Sequence, residues 1–187
     1  MHFILLTVVV VCFLPQKAIG EARFFGIQVD RAMRLSGLSV PLVAGGEGGV
    51  GRIIFDKVSV QSKKIGGLRI GILPELVIEG MRLEVPPSEQ PDRWALGLHG
   101  MLNREPLLQS AIISGIVISE RHGREFLRAE RGAVARDGSS IQLNGVTMFP
   151  DEKKIPAAEL ALSGPKAGSL LIEKNPRPVQ LIFSSNS

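Results

Sequence analysis

The sequence predicts an all-β protein whose strands form a bulged, repetitive antiparallel sheet. Its 187 residues include 21 glycines and 12 prolines, and these residues separate short apolar alternations, which is the pattern of strands joined by many turns. Three of the alternations run into a glycine and resume one residue out of phase. Because such a slip would turn the apolar face of a strand to water, the glycines predict β-bulges that keep the apolar side chains on one side.

The three interrupted alternations are centred on Gly80, Gly115 and Gly145. Apolar residues stand at every second position before each glycine and then again directly after it. They are Leu76, Ile78, Met81 and Leu83 around the first glycine, Ala111, Ile113, Ile116 and Ile118 around the second, and Ile141, Leu143, Val146 and Met148 around the third. Three strands with the same interruption predict one long, twisted sheet with one buried face.

The other strands follow from the same alternation between turn residues. Asp137-Gly138 is a tight-hairpin dipeptide, which predicts a turn between two of them. In chain order, the expected strands are 24–29, 38–43, 51–60, 68–72, 75–85, 108–119, 125–135, 140–149, 157–163, 169–173 and 179–183.

One short helix is expected among the strands. The proline-rich stretch 86–91 is the clearest linker of the chain, and Asp92 after it is of a residue type that caps helices. Trp94, Leu98 and Leu102 then fall on one face at helical spacing. Two glycines within this segment lower its helix propensity.

Residues 1–20 predict an export signal. Positions 3–14 are an uncharged apolar run, and Ala18-Ile19-Gly20 places small residues where a signal peptidase cleaves. The run is short for a membrane span, but no Lys or Arg precedes it, so an uncleaved inner-membrane anchor is the alternative. Residues 21–187 then form a single domain. Cys12, the only cysteine, lies within the run, and a disulfide-free exported domain fits a periplasmic location.

The charge pattern argues against nucleic acid as a partner. The formal net charge is +4, but acidic and basic residues alternate along the chain, for example through 120–131. Tyrosine is absent and tryptophan occurs once, so the aromatic platforms that stack on bases are missing. The charges predict a solvated face.

No motif in the chain predicts catalysis, a cofactor or a metal site. Positions 46–51 satisfy G-x-G-x-x-G, but Arg52-Ile53 follow where a P-loop needs Lys and Ser or Thr, and the next segment has a strand pattern where a dinucleotide fold needs a helix. His99 and His122 lack partners at metal-ligand spacing. A secreted hydrolase that uses one of these histidines is the remaining enzymatic hypothesis, and no G-x-S-x-G motif supports it.

The candidate binding residues are the apolar side chains of the predicted inner face. They form either the core of a closed sandwich or the lining of an open groove for acyl chains. Flexible aliphatic side chains suit disordered acyl chains, but composition alone does not decide between the two. The candidates are Met81, Leu83, Ile116, Ile118, Phe126, Ile141, Leu143, Val146 and Met148.

The second half of the chain contains an internal repeat with a period of about thirty residues. Phe126-Leu-Arg-Ala-Glu130 is echoed by Ile155-Pro-Ala-Ala-Glu159, and Gly115 by Gly145. The form "apolar-x-Ala-Glu, turn, Leu-x-Gly-Val-x-apolar" resembles the OstA-like proteins of lipopolysaccharide export, and most closely their LptC-like group. The resemblance is best over 114–172.

The resemblance implies a periplasmic, V-shaped β-jellyroll whose apolar interior carries acyl chains. It also implies edge-to-edge strand pairing with similar β-jellyroll proteins and, as a further partner, an inner-membrane transporter. We therefore expect a non-catalytic protein that binds and transfers lipopolysaccharide or another acyl lipid during outer-membrane assembly. The alternative is a non-catalytic envelope scaffold with a closed core that binds protein.

Overall fold

The computed structural model describes residues 22–29, 34–43, 49–65, 68–86, 92–121, 123–173 and 177–181. The export signal expected at 1–20 lies outside these ranges. The elements are β1 (Ala22–Phe24), β2 (Ile27–Val29), β3 (Leu35–Val43), β4 (Gly49–Ile65), β5 (Leu68–Val85), α1 (Arg93–Arg104), β6 (Ile112–Glu120), β7 (Glu125–Val134), β8 (Ser140–Met148), β9 (Lys153–Ala161), β10 (Ser169–Ile172) and β11 (Val179–Gln180), with 3-10 helices at Pro106–Ser110 and Gly164–Lys166. The predicted all-β character is confirmed. No helix among the described residues combines the length and hydropathy that a membrane crossing requires.

Nine of the strands form one sheet in which neighbours in the chain are also neighbours in space. The order is β11-β10-β9-β8-β7-β6-β5-β4-β3, and β1 and β2 form a separate two-stranded hairpin. The expectation of a wholly antiparallel sheet is wrong at one pair, because β5 and β6 run parallel. Two parallel strands need a crossover connection, and α1 provides it.

Several predicted strands have different bounds in the structure. The segments 68–72 and 75–85 are parts of one strand, β5. The segment 24–29 is a hairpin, since Phe25 and Gly26 have φ of 48° and 77° and turn the chain between β1 and β2. Residues 106–110 are a 3-10 helix, so β6 begins later than predicted.

The interruption of the apolar pattern lies at one level in seven neighbouring strands. At this level each strand from β3 to β9 has two consecutive outward residues between two residues of the inner face. The pairing on both sides of the level keeps one register, so every strand carries its extra residue at the same height. We call this level the glycine row; from β3 to β9 it consists of Gly37, Asp56, Gly80, Gly115, Glu130, Gly145 and Pro156.

The glycine row confirms one part of the sequence prediction and corrects another. The four glycines have φ between 63° and 78°, a conformation that only glycine adopts without steric cost. The apolar residues before and after them stay on one face, as predicted. In a β-bulge, two residues of one strand oppose a single residue of its neighbour. No such bulge forms at the glycine row, because each neighbouring strand has its own extra residue at the same level.

The predicted helix is confirmed as α1. Trp94, Leu98 and Leu102 are buried on its sheet-facing side. The capping role predicted for Asp92 is wrong, because its backbone is already helical, with φ −87° and ψ −18°, and its side chain makes no capping hydrogen bond. The helix therefore depends on its packing against the sheet rather than on a cap.

The two helix glycines should respond in opposite ways to alanine. A Cβ at Gly100 would meet no atom within 4 Å, so Gly100→Ala is expected to raise the free energy of unfolding by about 0.5–1 kcal/mol through helix propensity. A Cβ at Gly97 would lie 2.6 Å from Val50 Cγ2 and 3.5 Å from Leu42 Cβ, so Gly97→Ala is expected to lower it. Urea unfolding of the two variants measures both changes. Equal effects would contradict the described contact of α1 with β3 and β4.

The buried side chains form one core between the sheet, α1 and the β1–β2 hairpin. Phe24 of the hairpin is fully buried and packs edge-on against Phe55, with ring centroids 5.3 Å apart. The hairpin is also tied to the end of α1, since the Phe25 backbone N–H donates to Glu105 Oε1 at 3.1 Å. One face of the sheet is thus covered by a helix and a hairpin.

Candidate functional site

The inner face of the sheet includes four apolar rows, two on each side of the glycine row. Every side chain in them is buried or half-buried, and none carries a charge. Row 1 is Val40, Ile53, Leu83, Ile118, Leu127 and Met148, and row 2 is Leu38, Phe55, Met81, Ile116, Ala129, Val146 and Ile155. Row 3 is Leu35, Val58, Ile78, Ile113, Gly132, Leu143, Ala158 and Ile172, and row 4 is Val60, Leu76, Val134, Ile141, Leu160, Leu170 and Val179.

Eight of the nine candidate residues belong to these rows. Met148 ends row 1 and is half-buried. Phe126 lies outside the rows, at an irregular position where Ile118 pairs with Leu127 and Ser119 with Glu125. It is half-buried and packs against the core. The other seven are at most 4% exposed: Met81, Leu83, Ile116, Ile118, Ile141, Leu143 and Val146.

Sequence reasoning missed the members of the rows on β4, β7 and β9. These strands carry the same interruption as β5, β6 and β8 but without a glycine. The available signal was the spacing of apolar or small residues three apart, as from Phe55 to Val58, from Ala129 to Gly132 and from Ile155 to Ala158. That spacing also suits a helix or a loop, and only the neighbouring strands identify it as part of the row.

Helix α1 crosses the inner face from β3 and β4 to the turn between β7 and β8. At that turn His99 Nδ1 donates a hydrogen bond to the Gly138 carbonyl oxygen at 2.8 Å, and His99 Nε2 accepts one from Asn103 Nδ2 at 3.2 Å. Both ring nitrogens of His99 are therefore engaged: Nδ1 holds the helix to the turn, and Nε2 bonds to Asn103 one turn further along the same helix. His122, the other histidine of the hydrolase hypothesis, lies outside the described residues.

The turn between β7 and β8, which α1 contacts, is stabilised by hydrogen bonds within the turn. The Ser139 hydroxyl donates to Asp137 Oδ1 at 2.7 Å, and the Ser139 backbone N–H donates to the same oxygen at 3.0 Å. These two bonds lower the pKa of the exposed Asp137 carboxyl from its ordinary value, the hydroxyl contributing most. The predicted tight turn at Asp137-Gly138 is confirmed, since Gly138 has φ 68°.

The outer face of the sheet is charged. Arg52 pairs with Glu84 at 2.6 Å, and Glu84 is 7% exposed; Arg128 pairs with Glu125 at 2.7 Å. Three pockets of about 340, 260 and 540 Å³ are lined mainly by outward residues, and no candidate residue lines any of the three. Within the described part of the chain, no group of three or more His, Cys, Asp or Glu side chains is close enough to hold a metal ion.

Comparison of the chain with protein-family models, with curated proteins and with solved structures gave no match. The features of the molecule that bear on its function are the inner face, its cover and its surroundings.

Proposed function

We propose that the protein is a non-catalytic, exported β-jellyroll protein that binds the acyl part of a lipid at its inner face and transfers it during outer-membrane assembly. The observation that carries this proposal is the set of four uncharged apolar rows, which extend across the sheet. Lipopolysaccharide is the proposed cargo, on the resemblance of 114–172 to the lipopolysaccharide-export proteins.

The cover of the inner face supplies the proposed route for binding. An acyl chain replaces contacts that α1 and the β1–β2 hairpin make with the rows. Each methylene buried in this exchange contributes about 0.8 kcal/mol and needs no directed bond. The hairpin has only three residues per strand, and a two-stranded unit of this size has little stability of its own. It is therefore the part of the cover that is displaced at least cost.

The two outer strands of the sheet supply the proposed route for transfer. Among the strands that the structure describes, the nine-strand order ends at β3 and β11, so each has one described neighbour in this sheet. The nine residues of β3, Leu35–Val43, include no charged residue. A free strand edge pairs readily with another strand. The proposed partners are a similar β-jellyroll protein and an inner-membrane transporter.

A second candidate function is favoured by the burial of the rows. Seven candidate residues are at most 4% exposed, as in an ordinary closed core. In this alternative the protein is an envelope scaffold that binds other proteins through its strand edges and carries no lipid.

Native mass spectrometry of the protein, produced in a Gram-negative host and purified without detergent, separates the two functions. The lipid-carrier function predicts a stoichiometric lipid adduct. Met148→Asp is expected to remain folded, because Met148 is half-buried at the end of row 1. The fraction of the protein that carries the lipid adduct is expected to fall about tenfold or more, since a carboxylate at this position disfavours contact with an acyl chain.

The matched control is Thr147→Asp, one residue earlier. Thr147 pairs with Arg128 and Lys154 on the outer face, so this variant is expected to keep the adduct. A clean protein mass that persists after incubation with lipopolysaccharide and phospholipid would contradict the lipid-carrier function and favour the scaffold.

A further inference from the structure

The least buried candidate residues lie together at one end of the sheet, where β7 and β9 begin and β8 ends. Phe126 and Met148 are half-buried there, whereas the other candidates are buried. Phe149 adjoins them, since its backbone N–H donates to the Phe126 carbonyl oxygen at 2.9 Å, and it is also half-buried. This end of the sheet therefore presents apolar side chains to its surroundings.

Cations flank these apolar side chains. The guanidinium carbon of Arg124 lies 5.8 Å from the centroid of the Phe126 ring, and that of Arg128 lies 5.8 Å from the Phe149 ring. Both distances are within the range of a cation–π interaction. The aromatic rings and the guanidinium groups thus form one surface.

Two lysines extend this surface onto the next strand. Lys153 pairs with Met148 at the end of row 1, and Lys154 pairs with Thr147; both lysines are exposed. We call the surface the basic rim; it consists of Arg124, Phe126, Arg128, Phe149, Lys153 and Lys154.

The basic rim continues across the outer face as a line of cations. The pairing aligns Arg82, Arg128 and Lys154 on β5, β7 and β9, at a spacing of about 10 Å, two strand separations. The residues between them are Val117 and Thr147, so no carboxylate interrupts the line from Arg82 to Lys154.

Carboxylates near the basic rim and its line of cations offset all but one of their positive charges. Glu125 is engaged by Arg128 at 2.7 Å. Asp151 and Glu152 occupy the turn between β8 and β9 and are exposed.

A fourth carboxylate, Glu120, lies beside Arg124, since its backbone N–H donates to the Arg124 carbonyl oxygen at 3.0 Å. These four carboxylates equal the four rim cations in number, and Arg82 of the adjoining line supplies one cation in excess, because its neighbour Glu84 is engaged by Arg52. The cations lie beside half-exposed apolar side chains. That combination is complementary to a membrane interface, where anionic phosphates lie above acyl chains.

We propose that the basic rim is the surface with which the protein contacts an anionic phospholipid bilayer. Phe126, Met148 and Phe149 enter the interface, and the arginines and lysines meet the phosphates. The inference rests on the proposed function, because it places the end of row 1 at the membrane, where an acyl chain would enter.

Vesicle flotation of the full chain tests this proposal. Phosphatidylcholine vesicles with and without phosphatidylglycerol are compared over a series of lipid concentrations, and the measured quantity is the ratio of the two partition coefficients. Binding by the uncharged apolar run 3–14 multiplies both coefficients by the same factor, so it cancels in this ratio. The double variant Lys153→Gln, Lys154→Gln is expected to lower the ratio by about tenfold or more, since each cation near an anionic surface adds to partitioning.

The matched control removes two cations beyond the glycine row. Arg131 directly follows Glu130 of the glycine row on β7, and Arg136 lies in the turn after this strand; both are exposed. Arg131→Gln, Arg136→Gln is expected to leave the ratio unchanged. An equal fall in both double variants would overturn the proposal, because it would show a response to net charge alone.

Lysine acetylation followed by mass spectrometry locates the contact in the unmodified sequence. Lys153 and Lys154 are expected to be protected by vesicles that contain phosphatidylglycerol, while Lys57 on the other side of the glycine row keeps its reactivity. Equal protection by soluble glycerol phosphate would overturn the assignment to a bilayer in favour of a free phosphate site.

The outcomes separate this inference from the proposed function. If a lipid adduct is found but vesicles do not protect the rim lysines, the membrane contact proposed for the basic rim is contradicted and the lipid-carrier function is still supported. Protection without an adduct supports the rim as a membrane contact and contradicts the lipid carrier.

Discussion

Ile118→Asp is expected to unfold the protein. Ile118 is 1% exposed and lies in the middle of row 1, between Leu83 and Leu127. The substitution removes a buried aliphatic side chain, which costs about 2–5 kcal/mol, and places an unpaired carboxylate in the core, which costs several more. The sum is comparable to the whole stability of a domain, about 5–15 kcal/mol.

Far-UV circular dichroism and the fluorescence of Trp94, which is buried in α1, would report the loss of structure. The matched control is Val117→Asp. Val117 is the preceding residue, points to the outer face and pairs with Arg82 and Arg128, so a carboxylate there has cationic neighbours and the protein is expected to fold. If Ile118→Asp folded with the stability of the control, row 1 would be open to water rather than buried.

Gly80→Val is expected to lower the free energy of unfolding by about 3 kcal/mol. Gly80 has φ 78°, a conformation that costs other L-residues about 1–2 kcal/mol and suits a β-branched side chain least. A Cβ there would also lie 2.9 Å from Asp56 Cγ and closer still to Asp56 Oδ2, and relieving such a clash costs about 1–3 kcal/mol.

Two comparisons separate the backbone effect from the contact. Gly37 lies in the same glycine row with φ 66°, and a Cβ there would meet nothing within 4 Å. Gly37→Val is therefore expected to show the backbone cost alone. In an Asp56→Gly background, which removes the Asp56 Cβ that would lie 2.8 Å from the added side chain as well as the carboxylate, Gly80→Val should cost about 1 kcal/mol less than in the unaltered protein. Equal losses at Gly37 and Gly80 in urea unfolding would contradict the contact with Asp56.

The composition of the inner face could be predicted from the sequence where a glycine marked the interruption. The alternation before and after Gly80, Gly115 and Gly145 has period two, and a glycine is the residue that adopts positive φ at no cost. Those two local facts placed eight of the nine candidate residues on the inner face. Phe126 is the exception, because the irregular pairing of Ser119 with Glu125 breaks the alternation of β7.

The alignment of the strands could not be predicted, because it depends on contacts between distant segments. Nothing local to β5 or β6 requires them to run parallel. Nothing in the sequence around Asp56 or Pro156 identifies either residue as a member of the glycine row. The packing of α1 onto the inner face could not be predicted from the sequence either. Gly97 weakens the helix pattern of α1, yet its missing side chain allows the helix to approach Val50 and Leu42.

The parallel junction between β5 and β6 has a consequence for the kinetics of folding. It divides the sheet into two meanders, β3 to β5 and β6 to β11, whose antiparallel neighbours follow one another along the chain. Contacts of short sequence separation form early, whereas the junction requires closure of the crossover through α1. The two half-sheets are thus expected to assemble separately, and their docking along β5 and β6 is the slow step that completes the native protein.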